Sequence, residues 1–561
     1  MTLQLSGVTR ILRASTAPFL LLITPFASYL QFNRLGVTNP EVILAVLVIV
    51  AVALLLGAVS ALSPAFAVVT LAALLTFFID IQAREPGLKR LGLAFIALSA
   101  VFWLLRRHAA WIVSLMMAPV LALSLVPSGP QAASPDRMSI GRGTPAGRTD
   151  LPLFVHLLLD EYIGPEGVPI DLAPEGFKQQ FQSFYVDRGF RLFGKAYSEY
   201  PQTMWSIPEL LSLSPTHFVP DLISFRSTDG TYQYACRLPH NAYFDRMASL
   251  GYKVHIYQSN YIDLCPDNVA ATCRTYSTNT FDMLPRLNVP VTTKLAIIGG
   301  TFLRQSEAYS RTKQKYQTTR LRLLHANIPL PKWNWEQTTP AAVGTMPMFD
   351  AIADELSKAQ RGTFVFAHFL LPHHPYVYNS SCEQPPTSKW LMRNDYDRAN
   401  VPGGIMNVPE GRAERYRGYF QQILCAQKKV DALITAIPPP LRQDAIIIVQ
   451  GDHGSRISLV EPTTGANVEP SRADYADMYS TLFAVRSPSI EHGYDTRVTP
   501  ITCLLRSLVQ SDFRSVSSID TCSSPNIVFF MGSEPPPPRP LLDFWPAAGT
   551  KPFTASAAAG R

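Results

Sequence analysis

Metal-binding side chains follow three strongly apolar runs of the sequence. The runs are LPLFVHLLL, GTFVFAHFLLP and DAIIIVQG, and the polar residues after them are Asp160 with Glu161, His373 with His374, and Asp452 with His453. Short apolar runs of this kind are typical of buried parallel strands, and ligands bind at the carboxyl ends of such strands. Carboxylate oxygen and imidazole nitrogen together suit zinc or manganese.

The stretch YPQTMWSIPELLS supplies a hydroxyl for the same site. A threonine hydroxyl is a weak nucleophile without activation, and a metal ion can depress its pKa. We therefore predict that Thr203 is both the nucleophile and the fourth metal ligand, beside Asp160, Asp452 and His453.

Helical stretches such as AERYRGYFQQILCAQKKVDALITAI lie between the apolar runs. Strands that alternate with helices indicate an α/β fold with a mostly parallel sheet. The three polar groups would then lie at one edge of that sheet.

Five apolar segments precede residue 130, and about 20 such residues span a membrane. They are APFLLLITPFASYLQF, VILAVLVIVAVALLLGAV, AFAVVTLAALLTFFIDI, LGLAFIALSAVFWLL, which is short enough to be re-entrant, and WIVSLMMAPVLALSLV. Basic residues favour the cytoplasmic side. Arg10 and Arg13 place the N-terminus in the cytoplasm, and Arg106 and Arg107 place the loop after the fourth segment there. Arg84, Lys89 and Arg90 contradict this orientation, because their loop would lie outside. Five spans would place the chain after residue 130 outside the cytoplasm.

Charge and cysteine content agree with that placement. The first 130 residues carry 8 Lys+Arg and 3 Asp+Glu, and the remainder carries 41 and 39. The later region is thus nearly neutral, which argues against nucleic acid as a partner. All 7 cysteines follow residue 235, which suits an oxidising compartment, although ordinary buried thiols are an alternative. The pairs we expect are Cys265–Cys273, Cys382–Cys425 and Cys503–Cys522.

These motifs resemble the alkaline phosphatase and sulfatase superfamily, and most closely its membrane-anchored phosphoethanolamine transferases and lipoteichoic acid synthases. In the phosphoethanolamine transferases the nucleophilic threonine is followed by serine and proline with the spacing of Thr203, Ser206 and Pro208. GDHGSR resembles the Asp–His metal pair, and HHPY resembles a His-x-Pro segment that makes His373 a substrate or second-metal residue. LLLDEY resembles the strand-end acid, for which we favour Asp160 and keep Glu161 as the alternative.

The sequence also departs from the family pattern. The transferases have a further histidine downstream of the Asp–His pair, whereas here the next histidine is His492. Arg456 could supply positive charge for a phosphate instead. Formylglycine-dependent sulfatases need Cys-x-Pro-x-Arg or Ser-x-Pro-x-Arg, and neither motif occurs, so that chemistry is disfavoured.

The resemblance implies an enzyme with four regions. They are a transmembrane domain at 1–130, a linker at 131–150, a sulfatase-like catalytic domain at 151–530 and an extended or disordered Pro-rich tail at 531–561. The expected substrate contacts are Ser206, His373, His374 and Arg456.

We expect transfer of a phosphoethanolamine-type or phosphoglycerol-type group from a membrane lipid donor to an envelope glycan or lipid. The expected location is the inner membrane, with the catalytic domain on the periplasmic side. The alternatives are a hydrolase of the same fold, either phosphodiesterase or phosphatase, and an inactive scaffold that binds the envelope.

Overall fold

The chain forms two compact units. The structure, a computed structural model, describes residues 2–33, 35–83, 86–126, 137–140, 147–214, 223–224, 236–238, 240–265, 269–278, 283–325, 328, 330–331, 333, 341–386, 390, 409–464, 468–513, 526–532, 537–541 and 543–545. The membrane unit comprises 1–132 and 284–339, and the sheet unit comprises 133–283 and 340–561.

Five apolar helices begin the membrane unit, as the sequence predicts. They are α1 (Thr2–Phe32), α2 (Pro40–Leu62), α3 (Pro64–Ala83), α4 (Leu88–Leu104) and α5 (Ala109–Ser124). The first three are long and apolar enough to cross a membrane, whereas α4 and α5 form a pair bent by 119°. The structure thus gives three long spans and a bent pair, and the short fourth segment that could be re-entrant belongs to that pair.

The bent pair begins and ends at the same end of the helix bundle. The N–H of Gly87, just before α4, donates to Glu307 at 2.7 Å, and the N–H of Glu307 donates to Asp80 near the end of α3. After α5, the carbonyl of Val126 accepts from Gln31 near the end of α1. The pair is therefore a hairpin or a re-entrant element, and either geometry leaves residue 126 opposite the start of α1.

Two further helices of the membrane unit come from the middle of the chain. They are α9 (Val291–Leu303) and α10 (Glu307–His325), and α9 packs on α2. The ring of Phe302 lies 5.4 Å from Phe26 and 6.4 Å from Phe77. The catalytic domain predicted at 151–530 is therefore not continuous, because residues 284–339 belong to the membrane unit.

The sheet unit is built on a nine-stranded mixed sheet of order β1-β9-β7-β10-β2-β11-β12-β3-β13. The strands are β1 (Arg137–Ile140), β2 (Phe154–Leu159), β3 (Arg191–Phe193), β7 (Lys253–Ser259), β9 (Ala270–Tyr276), β10 (Thr363–Phe369), β11 (Ile446–Gly451), β12 (Phe483–Arg486) and β13 (Gly493–Asp495). The five central strands from β9 to β11 are parallel, as the apolar runs predict. All six residues of β2 and of β11 are buried, because helices cover the sheet.

Helices and short strands complete the sheet unit. The helices are α6 (Phe177–Val186), α7 (Thr203–Ser212), α8 (Ala242–Leu250), α11 (Ala341–Ser357), α12 (Pro409–Ala436), α13 (Pro439–Asp444), α14 (Arg472–Tyr479) and α15 (Ile501–Gln510). The short strands are β4 (Ala196–Tyr197), β5 (Ile223–Ser224), β6 (Cys236–Arg237), β8 (Ile262–Asp263), β14 (Thr499–Pro500), β15 (Ile527–Phe529) and β16 (Pro538–Pro540).

Two predicted disulfides form, and part of the predicted tail is ordered. Cys265 bonds to Cys273 and Cys382 bonds to Cys425, while Cys522, the expected partner of Cys503, lies outside the described residues. In the tail, β16 pairs with β15, and Phe544 and Trp545 are buried in an aromatic cluster. The prediction of an extended or disordered tail is thus wrong for Phe544 and Trp545, and 546–561 lie outside the described residues.

Candidate active site

The three strands that precede the metal-binding residues are neighbours and end at the same level. Leu159, the last residue of β2, pairs with Phe369 at the end of β10 and with Gly451 at the end of β11. The N–H of Asp160 donates to the carbonyl of Phe369 at 2.9 Å, which continues the alignment by one residue. Because the strands are parallel, the residues after them emerge at one edge of the sheet.

The first cluster consists of Asp160, Asp452 and His453. All three are buried, and their ligand atoms lie within 4.8 Å of one another. His453 Nε2 lies 3.3 Å from Asp452 Oδ2 and 3.7 Å from Asp160 Oδ1. Thr203 Oγ1 lies 3.2 Å from His453 Nε2 and 3.4 Å from Asp160 Oδ2. The structure therefore brings together all four residues proposed for the metal site.

Hydrogen bonds orient the ligand atoms of this cluster. Asp452 Oδ1 accepts from the backbone N–H groups of Glu161 at 3.1 Å and of His453 at 2.9 Å. His453 Nδ1 lies 3.0 Å from the carbonyl of Gly454. A carbonyl only accepts, so Nδ1 carries a proton, and Nε2 is the ring atom that would coordinate a metal. Nε2 lies toward Thr203 and the two aspartates.

The N-terminus of α7 presents Thr203 to the cluster. Thr203 is the first helical residue, after Gln202 in an extended conformation. A helix N-terminus carries partial positive charge, so it favours negative charge on the Thr203 oxygen. The helix is held in place by its apolar residues, among them Ile207, Leu210 and Leu211, which belong to the core of the sheet unit.

His368 is a cluster residue that the sequence reading missed. It lies inside β10, is fully buried, and places Nε2 3.7 Å from Asp160 Oδ2. Within the described part of the chain, neither ring nitrogen of His368 has a hydrogen-bond partner, and neither does Asp452 Oδ2. Buried polar atoms are normally paired. Unpaired nitrogen and oxygen atoms around two carboxylates are an arrangement that a divalent cation would satisfy.

The pKa shifts of the two aspartates also agree with a divalent cation at the first cluster. Burial and the negative charge of Asp160 raise the pKa of Asp452. At Asp160, burial favours the neutral acid, but His373, His368 and His453 outweigh it and lower the pKa. Two adjacent buried carboxylates repel each other, and a cation between them would relieve that repulsion.

A second cluster consists of Glu161, His373 and His374. Its ligand atoms also lie within 4.8 Å of one another. His374 Nδ1 lies 3.0 Å from Glu161 Oε1, and His373 Nε2 lies 3.6 Å from the same oxygen. Arg456 Nη1 is 3.9 Å from that oxygen. Glu161 is thus placed in its own group, beside three of the expected substrate contacts.

Opposing charges set the protonation of the second cluster. Burial opposes the charge of Glu161, but the charge of His373, the hydrogen bond from His374 and the charge of Arg456 outweigh it and hold its pKa well below the usual range. Burial lowers the pKa of His374 to about 3, so this ring is neutral. At His373 burial is outweighed by the negative charges of Glu161 and Asp160, which raise its pKa.

The Tyr419 hydroxyl and the backbone carbonyl of Asp477 hold the loops of the two clusters. Glu161 has φ 59°, and its carbonyl accepts from the Tyr419 hydroxyl, which also accepts from the N–H of Ile163 at 2.8 Å. Arg456 has φ 55°, and its N–H donates to the carbonyl of Asp477 at 2.8 Å. Left-handed backbone is unfavourable for such residues, so these hydrogen bonds fix otherwise unstable turns.

The remaining predicted substrate contact, Ser206, lies one turn after Thr203 on α7. Its hydroxyl is buried and makes no hydrogen bond within the described ranges. The structure therefore places Ser206 one turn from Thr203 on the same helix, and its hydroxyl has no hydrogen-bond partner among the described residues.

Residues 294–504 match the family model described as Sulfatase. This segment of the chain is similar to the sulfatase family. The match includes the motifs around His373 and Asp452 and fits the alkaline phosphatase and sulfatase superfamily. No curated protein matches the sequence.

Several solved structures resemble this chain at low sequence identity. A 2-O GAG sulfatase is 16% identical, with 66% of this chain and 72% of that chain covered and a TM-score of 0.37. The C-terminal periplasmic domain of EcEptC from Escherichia coli is 13% identical, with 70% and 92% covered and a TM-score of 0.34. The phosphonate monoester hydrolase of Agrobacterium radiobacter is 12% identical, with 68% and 80% covered and a TM-score of 0.36. These likenesses do not specify a reaction.

Proposed function

We propose that this protein is a membrane-anchored, metal-dependent transferase. In this proposal it moves a phospho-substituent from a lipid donor to an envelope glycan or lipid, with Thr203 as the nucleophile. The substituent is of the phosphoethanolamine or phosphoglycerol type, and the catalytic unit faces the periplasm. The apolar helices of the membrane unit support the anchoring, and the sulfatase-family match supports an enzyme of this fold.

One observation carries the proposal: the Thr203 hydroxyl lies within 3.5 Å of both Asp160 and His453. The helix N-terminus and the two clusters surround it. Asp160, Asp452, His453 and Thr203 would hold zinc or manganese, with His368 beside them. When bound, the ion would lower the pKa of the Thr203 hydroxyl and offset charge on the transferring group.

The first half-reaction exchanges one ester for another at phosphorus. The Thr203 oxygen forms the new bond to phosphorus, and the bond to the diacylglycerol oxygen breaks. The proton lost by Thr203 ends on that leaving oxygen, which gives diacylglycerol and a phosphothreonine-type intermediate. Arg456 and protonated His373 would bind the phosphoryl oxygens by charge-assisted hydrogen bonds.

The second half-reaction returns Thr203 to its starting state. An acceptor hydroxyl attacks phosphorus, the bond from phosphorus to the Thr203 oxygen breaks, and the proton lost by the acceptor ends on that oxygen. Neutral His374, held by Glu161 at 3.0 Å, is the base that the second cluster offers for this proton. The same pair could deprotonate water, which makes a hydrolase of the same fold the second candidate. An acceptor that carries the group identifies a transferase, and free headgroup phosphate alone identifies a hydrolase.

Substitution of the nucleophile tests the proposal. We expect Thr203→Ala to lower turnover of phosphatidylethanolamine or phosphatidylglycerol roughly a thousandfold or more, because no other hydroxyl replaces the attacking oxygen. Mass spectrometry of wild-type protein quenched during turnover should find the phospho-group on the peptide containing Thr203.

The matched control is Thr278→Ala, a part-buried threonine whose hydroxyl bonds Asn260 outside both clusters. We expect this variant to keep wild-type turnover. Full activity of Thr203→Ala with every donor tested would show that the proposed nucleophile is wrong.

A further inference from the structure

Helix α10 carries a basic face that the proposed reaction does not use. Between residues 304 and 325 the sequence has one acidic residue, Glu307, and six basic residues: Arg304, Arg311, Lys313, Lys315, Arg320 and Arg322. Arg311, Lys315 and Arg322 are exposed. At 100° per residue these three lie within about 40° of one another around the helix, and they are spaced about 6 and about 10 Å apart along it. We call these three residues the α10 basic face.

The N-terminus of α10 is fixed to an end of the apolar helix bundle. Asp80, buried near the end of α3, accepts from the Ser306 hydroxyl at 2.5 Å and from the N–H groups of Glu307 at 3.0 Å and Ala308 at 3.1 Å. A carboxylate that accepts from these groups caps the helix and complements its dipole. The basic face therefore starts at the level where α3 ends, which is where a membrane surface would lie.

Aromatic side chains lie on another face of α10. By the same helix geometry, Tyr309 and Tyr316 are turned about 100–160° from the three basic residues. Trp333 packs against both rings with centroids 5.9 and 5.2 Å apart, and its indole N–H donates to the Tyr309 hydroxyl at 3.2 Å. Tryptophan and tyrosine are enriched at membrane–water interfaces, so this cluster supports a position of α10 at the membrane surface.

We propose that the α10 basic face binds the headgroups of anionic phospholipids in the leaflet next to this end of the bundle. Arg311, Lys315 and Arg322 pair with lipid phosphates, and Glu307 is held inward by Gly87 and lies 3.5 Å from Arg311. Basic residues near an anionic leaflet each add a favourable electrostatic contribution that salt screens. The inference is independent of the proposed reaction, because it uses only residues of the membrane unit.

The test compares two double variants of the full chain in a mild uncharged detergent. Lys315→Gln/Arg322→Gln removes two charges from the basic face. Arg417→Gln/Lys428→Gln removes two exposed charges from α12 in the sheet unit and serves as the matched control. The probes are dioctanoyl phosphatidylglycerol, dioctanoyl phosphatidylcholine and inorganic phosphate, each titrated calorimetrically at low and moderate salt.

We expect the wild type and the control to bind phosphatidylglycerol more tightly than phosphatidylcholine, with affinity that falls as salt rises. The Lys315→Gln/Arg322→Gln variant should bind phosphatidylglycerol about tenfold or more weakly. Unchanged affinity in this variant, equal binding of phosphatidylcholine, or inorganic phosphate bound as tightly as the lipid would each overturn the proposal. Failure of the reaction mechanism is measured as turnover, and failure of the lipid site is measured as binding that does not depend on Lys315 and Arg322, so the two failures give different results.

Discussion

Asp160 and Glu161 are adjacent in the chain but serve different clusters. The left-handed backbone of Glu161, at φ 59°, turns its carboxylate toward His373 and His374, whereas Asp160 faces His453 and Thr203. The sequence offered these two acids as alternatives for one position. The turn that separates them depends on the Tyr419 hydroxyl, some 250 residues away in the chain, so the pattern DEY alone gave no sign of it.

Asp452 allows a direct test of the first cluster. We expect Asp452→Asn to lose the zinc or manganese that the wild type retains, because the amide removes the negative charge and one anionic ligand. Metal content by inductively coupled plasma mass spectrometry, per mole of folded full-length protein, measures this.

The control for this measurement is Asp512→Asn, an exposed aspartate that pairs with Arg246. This variant should keep the wild-type metal content. Equal metal in wild type and Asp452→Asn would exclude Asp452 as a ligand. If the wild type binds two equivalents of metal and Asp452→Asn retains about one, the Glu161 cluster holds its own ion.

Thr203 and the three residues of the first cluster could be predicted because each stands at a recognisable position. Asp160, Asp452 and His453 follow apolar runs, and Thr203 stands in a motif. His368 was missed because it lies inside an apolar run, where an isolated histidine resembles a core residue such as His156 in β2. The signal that could have identified it is the register of β10, which places His368 one residue before the strand end.

Helix α7 carries Thr203, the proposed nucleophile, and a buried acidic residue. Thr203 begins the helix, and Glu209 lies almost two turns later. Burial raises the pKa of Glu209 to about 8, although Glu199 and Arg506 act in the opposite direction. The Thr502 hydroxyl donates to Glu199 at 2.6 Å. The C-terminal half of α7 thus contains a buried carboxyl group that is protonated at neutral pH.

Glu209 predicts a pH dependence of stability. Its folded pKa lies above the ordinary value of 4.5, so its contribution is complete below about pH 4.5 and is lost as pH rises through about 8. The free energy of unfolding should fall by roughly 1 kcal/mol per pH unit in that window. In Glu209→Gln this slope should disappear, because the amide does not ionise.

Thermal unfolding of the full chain between pH 5 and 8 measures the effect of Glu209→Gln. Glu469→Gln, at an exposed glutamate, is the control and should follow the wild type. A Glu209→Gln profile parallel to the wild type across this range would show that Glu209 is ionised at neutral pH.

Apolar runs predicted the central strands, but they did not predict where the sheet unit is interrupted. Short runs such as AIIIV are typical of buried strands when helical stretches lie between them, so β2, β10 and β11 were recognisable. Helix α9 is also apolar, and its sequence does not distinguish a helix of the sheet unit from one that packs on α2. Its position depends on long-range contacts such as those of Phe302 with Phe26, which no local pattern encodes.

The arrangement of the membrane helices determines on which side of the membrane the chain after α5 emerges. The α4–α5 pair returns to the end of the bundle where α1 ends, so residue 126 lies opposite the N-terminus whether the pair crosses the membrane or is re-entrant. The two disulfides, Cys265–Cys273 and Cys382–Cys425, fit an oxidising compartment for the chain beyond that point.

Reporter fusions test this topology. A reporter enzyme that folds only outside the cytoplasm should be active when fused after Val126 and inactive when fused after Leu62, where α2 ends at the opposite end of the bundle. Activity measured in intact cells and normalised to the amount of fusion protein gives the orientation. The reverse pattern would place the sheet unit in the cytoplasm.

Interruption of the sheet unit by 284–339 also sets an order of events during synthesis. The central strand β2 is made early, but its neighbours β10 and β11 follow about 200 and about 290 residues later, and such distant pairings close slowly. Helices α9 and α10 leave the ribosome before β10. We therefore expect α9 and α10 of the nascent chain to pack against the membrane helices first. His368, Asp452 and His453 would reach Asp160 only afterwards, when β10 and β11 have been made.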